Sequence, residues 1–172
     1  SATAPSDGPG RPADGGGVAA TGPSPSPSPV QPTPTPTPAP PPPAACADSA
    51  LRVAVSARQP AYQVGQAPWL DLTVRNVSTV ACLRDVGAGQ QEITLMRGTQ
   101  RLWSSNDCGP QDDSRSIQLL KPGVVLTSSV HWTGLGSRPD CAGKRTAVGA
   151  GTYALVARVG TAVSRRTPLV LR

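Results

Sequence analysis

The stretch GTYALVARV, Gly151 to Val159, alternates so that Tyr153, Leu155, Ala157 and Val159 fall on one face of an extended strand. It follows the turn GAGT, and its tyrosine stands near the start of a late strand, where an immunoglobulin-like sandwich places a tyrosine corner. Earlier runs alternate in the same way. LRVAV (Leu51 to Val55) does so, as does LDLTV (Leu70 to Val74), in which Leu70, Leu72 and Val74 share a face. QEITLMRGTQRLW reads as two short strands about a Gly98-Thr99 turn, SIQLLKPGVVLTSSVHW bends at Pro122-Gly123, and TPLVLR closes the chain. No window carries a sustained helical period. The expected fold is an all-β, immunoglobulin-like antiparallel sandwich of seven or eight strands, spanning residues 46–172.

Residues 1–45 have another character. Fifteen of the 21 prolines precede Cys46, and that segment contains no Leu, Ile, Met, Phe, Trp or Tyr with which to build a core. It is expected to be a disordered stalk rich in Pro, Ser, Thr and Gly. Proline fixes its own φ and restricts its predecessor, so SPSPSPVQPTPTPTPAPPPP favours polyproline II. From Thr21 to Pro43 such a spacer reaches roughly 70 Å. Thr33, Thr35 and Thr37 are candidate O-glycosylation sites by composition.

Cys46, Cys82, Cys108 and Cys141 are too widely spaced for a zinc site, and the single histidine, His131, does not complete one. An even set of distant cysteines beside such a tail indicates two disulfides in an oxidising compartment. If successive strands alternate in direction, all four cysteines gather at one end. Antiparallel neighbours then pair Cys46 with Cys82 and leave Cys108 for Cys141. Each bridge closes a loop of roughly 35 residues and contributes about 3 to 4 kcal/mol by loop entropy. A core without phenylalanine benefits from such staples.

The chain carries 16 basic and ten acidic side chains, and 14 of the bases are arginine. The excess is scattered, with no basic run and no aromatic stacking platform, so nucleic acid is not expected as a partner. Attraction to an anionic envelope polymer or lipid surface is the functional reading of that charge. No stretch approaches the apolar length that crosses a bilayer. The chain opens at Ser1 without a methionine, and an upstream signal peptide or membrane anchor is expected.

Catalytic chemistry finds little support. His131 lies in VLTSSVHW on the face of Thr127 and Ser129, and no nucleophile-elbow sequence accompanies it. The loop SSNDCGPQDDSR is acidic, but it lacks EF-hand spacing and contains Arg115, so no metal or other cofactor is expected. Asn76-Val77-Ser78 matches the N-glycosylation pattern and is read as incidental. Loops at the cysteine end are the candidate recognition surface. Arg84, Asp85, Asp107, Asp112 and Arg138 are the candidate binding residues.

The strings CADSALRVAVSARQPAYQVGQAPWLDLTVRNVSTVACLRDVGAGQQE, RLWSSNDC, LKPG, HWTG and AGTYAL resemble ectodomains of proline-rich, membrane-anchored envelope proteins of mycobacteria and streptomycetes. That resemblance covers 46–172 and implies an anchor before Ser1, an extracytoplasmic location and no known activity. Cys46 with NVSTVAC also resembles a broader set of actinobacterial secreted domains, which agrees with the Cys46–Cys82 pairing. A weaker likeness, through VRNVS, LKPG, VHW and GTYAL, is to the Bacillus intracellular proteinase inhibitor family, an immunoglobulin-like domain. The expectation is therefore a non-enzymatic envelope interaction module, whose partner is an envelope polymer or a surface protein. An extracellular protease inhibitor is the alternative.

Overall fold

A computed structural model describes residues 17, 19–109 and 113–172. The chain divides into a leading unit that ends at Ala39 and a folded unit, Pro40–Arg172. In the leading unit the described residues form no helix or strand, and all are exposed.

The folded unit is built from strands β1 (Leu51–Ala57), β2 (Ala61–Tyr62), β3 (Trp69–Asn76), β4 (Cys82–Asp85), β5 (Gln91–Arg97), β6 (Gln100–Ser104), β7 (Ile117–Leu120), β8 (Val125–His131), β9 (Gly151–Val159), β10 (Ala162–Val163) and β11 (Thr167–Leu171). One sheet has the order β1-β3-β8. The other runs β2-β11-β9-β5-β6, with β10 beside β9, and β4 pairs with β7 in a small third piece. Pairings are antiparallel except β2 with β11 and a parallel bridge between Ala45 and Leu83.

The alternation read from sequence is the alternation of burial. Leu70, Leu72 and Val74 of β3 and Tyr153, Leu155, Ala157 and Val159 of β9 are all buried in one core. Trp103 and Trp132 complete this core as a tilted pair with ring centroids 5.5 Å apart. Burying side chains of this size is the main favourable term in folding, about 1.5–3 kcal/mol for each large one. The tyrosine corner is present: Tyr153 Oη donates to Gly149 O at 2.7 Å, four residues upstream.

Both disulfides form as expected, Cys46–Cys82 and Cys108–Cys141. The first bridge is buried, whereas Cys141 of the second is exposed. Two disulfides indicate an oxidising, extracytoplasmic environment. No helix among the described residues is long and apolar enough to cross a membrane.

The route to the second bridge differs from simple strand alternation. Register places Leu51, Asn76 and the start of β8 at one end of the first sheet, and Ala57, Trp69 and His131 at the other. The chain therefore leaves β8 at the far end from Cys46. It returns as a hairpin beside β6: Gly136 N donates to Thr146 O, Val148 N to Gly134 O, and Ser137 N to Leu102 O, each at 2.9 Å. This return brings Cys141 within reach of Cys108. The eleven strands among the described residues also exceed the seven or eight expected, because β2, β4 and β10 are two to four residues long and too short to show a period.

Candidate functional site

Three of the five candidate binding residues are committed to holding the fold. Arg84 is one: its guanidinium donates to Cys46 O at 3.2 Å and Val159 O at 2.7 Å and pairs with Asp48 at 2.9 Å, which ties the first disulfide to the end of β9. Asp48 is held below the usual carboxylate range by the Thr161 hydroxyl and then by Arg84.

Asp85 closes a loop. One carboxylate oxygen accepts from Ser116 N at 2.8 Å and Gly87 N at 3.0 Å, and the other pairs with Arg115 at 3.2 Å. The two amides, more than the arginine, keep its carboxyl below the ordinary range. Backbone packing is tight here, since a Cβ on Gly87 would lie 2.0 Å from Ser114 O.

Asp107 is buried. Arg101 meets one of its oxygens at 2.9 Å and the Ser137 hydroxyl donates to the other at 2.6 Å. The residue therefore fastens the β6 exit to the returning hairpin, next to Cys108. Asp112 lies outside the described residues. Among the described residues, no group of three or more His, Cys, Asp or Glu side chains converges as a metal site would require.

His131 is exposed on the outer face of β8, as its position in the alternation implies. It stacks on Trp69 with centroids 4.5 Å apart, its Nε2 lies 3.1 Å from Ala67 O, and Arg58 stands over the same indole at 5.0 Å. Arg58 in turn forms a two-pronged pair with Asp71, which also accepts from Ser129 Oγ at 2.6 Å. The Arg58 bonds, then the Ser129 bond, hold the Asp71 carboxyl below its ordinary value.

Arg138 is placed differently. It lines a groove of about 350 Å³ between β6 and the returning hairpin, together with Arg97, Arg101, Lys144 and Arg145. Among the described residues, no carboxylate lines that groove. Three of the five cations are positioned by the fold. Arg97 donates to Tyr153 Oη and lies over its ring at 5.0 Å; Arg101 is paired with Asp107; Arg145 donates to Gly136 O at 3.1 Å and Thr133 Oγ1 at 3.2 Å. Arg138 and Lys144 are exposed at its rim, and neither forms an ion pair among the described residues. Sequence reading reached only Arg138, because the five cations come from three separate segments and no basic run announces them.

No protein-family model matches the chain, and no curated protein matches it. Among solved structures it is similar to a β-glucosidase from Listeria innocua, at 12% identity and a TM-score of 0.41 over 70% of this chain and 16% of that one. It is likewise similar to a β-glucosidase from Erythrobacter marinus (14%, TM-score 0.42, 71% and 15%) and one from Chaetomella raphigera (10%, TM-score 0.38, 70% and 18%). The likeness spans less than a fifth of each glycosidase.

Proposed function

We propose that this protein is a non-enzymatic binding module of the cell envelope, displayed outside the membrane on its proline-rich segment. The observation that carries the reading is the cationic groove, a concave surface of one charge on a small disulfide-stapled domain. The sole histidine engages a tryptophan and a backbone carbonyl, and Asp85 and Asp107 are occupied by loop bonds, so these groups serve the fold. The resemblance of 46–172 to actinobacterial envelope ectodomains supports the same reading, and on it an upstream anchor tethers the module to the membrane.

Sedimentation tests this directly. The full chain, with both disulfides intact, is mixed with purified actinobacterial cell walls and centrifuged. Retention in the pellet is the expected result. A chain that stays in the supernatant while remaining folded, or one that inhibits an extracellular protease at nanomolar concentration, overturns the proposal.

A further inference from the structure

The groove beside β6 also carries a statement about what the module binds. Resting on the reading above, we propose that it takes a linear polyanion, a polymer bearing phosphate or carboxylate groups at repeated positions. Four of its five cations are arginines, whose planar forks match either oxyanion with two parallel hydrogen bonds. Arg97 and Arg145 are already held against Tyr153, Gly136 O and Thr133, so binding costs them little further ordering. Arg101 is paired with Asp107 and serves to position the wall. Arg138 and Lys144 provide the uncompensated charge at the rim. The acidic group in this hairpin, Asp140, is exposed and does not line the groove.

Shape favours a polymer over a lipid surface. The cations line a recess together with the half-buried Leu102 and the buried Val148 rather than crowning a convex patch. Apolar side chains that a bilayer would accept, such as Val77, Val80, Ile117 and Val125, are exposed, but none of them lines the groove. Cys108–Cys141, the Ser137–Asp107 bond and the backbone bond from Ser137 N to Leu102 O hold the hairpin against β6 and so shape the recess.

The test uses the full oxidised chain and three probes: inorganic polyphosphate, polygalacturonate, and vesicles of phosphatidylglycerol and phosphatidylcholine. Titration at low and physiological salt is expected to show binding to at least one soluble polyanion, weakened by salt. The Arg138→Glu/Lys144→Glu variant, checked for fold by circular dichroism, is expected to bind roughly tenfold or more weakly. Arg52→Glu/Arg75→Glu, on the outer faces of β1 and β3, changes the net charge by the same amount and is expected to bind as the parent does. The inference is overturned if the groove variant binds like the parent, if neither polymer binds, or if vesicles alone are bound. Cell walls retaining the groove variant as well as the parent would sink this inference and leave the envelope reading intact. Polyphosphate binding that needs the groove, with no retention by walls, would do the reverse.

Discussion

Asn76 ends β3 with its side chain fully buried and every polar atom engaged. Nδ2 donates to Val80 O and Leu120 O, both at 2.8 Å, while Oδ1 accepts from the Ser78 amide at 2.9 Å and the Ser78 hydroxyl at 2.7 Å. The Asn-x-Ser pattern is thus the signature of a buried turn, and a glycan on Asn76 is incompatible with the fold. This use could not be read in advance, because the pattern is the same in both cases and only burial separates them. Asn76→Asp keeps the shape but strips the donor and buries a charge. The expected loss is about 2–4 kcal/mol of unfolding free energy by urea denaturation. Asn76→Gln, too long for the site, is expected to fall as well, so rescue by a conservative amide should fail.

Among elements, the long strands were legible because a half-buried strand repeats every two residues, and β1, β3 and β9 obey that rule over seven to nine positions. The short β4 was not. Its CLRD is only four residues, its last three side chains are half-buried, and its Arg and Asp imitate a recognition loop while serving as fasteners. The returning hairpin at 134–148 escaped for a related reason: its glycines and cations carry no apolar alternation, and its place is set by backbone bonds to β6 and a disulfide. Asp85 gives this level its prediction. Its folded carboxyl titrates below its unfolded value, so the stability it lends is complete above the unfolded pKa and disappears as pH falls through the folded one. Thermal melts between about pH 6 and pH 2 should therefore decline less steeply for Asp85→Asn than for the parent. An equal slope would mean that the loop bonds do not contribute.

For the whole molecule, the two bridges differ in access. Cys46 and Cys82 are buried at 5% and 7% exposure, whereas Cys141 is open to solvent. Thiolate attack requires access, so mild reductant followed by alkylation and mass mapping should label Cys108 and Cys141 first. The Cys108→Ala/Cys141→Ala variant is expected to lose about 2–4 kcal/mol and with it much of the groove's affinity, since the hairpin wall is then free to leave β6. Loss of stability with unchanged affinity would show that the wall holds itself.

The join at the front of the sandwich has a mechanical consequence. Leu83 N donates to Ala44 O and Cys46 N to Leu83 O, both at 2.8 Å, and the Cys46–Cys82 bond lies beside them. Tension arriving along the proline-rich leader therefore shears two backbone bonds and is then caught by a covalent clasp on β4, before it can peel β1 from β3. A domain wired this way is suited to keep its sandwich folded when its leader is pulled.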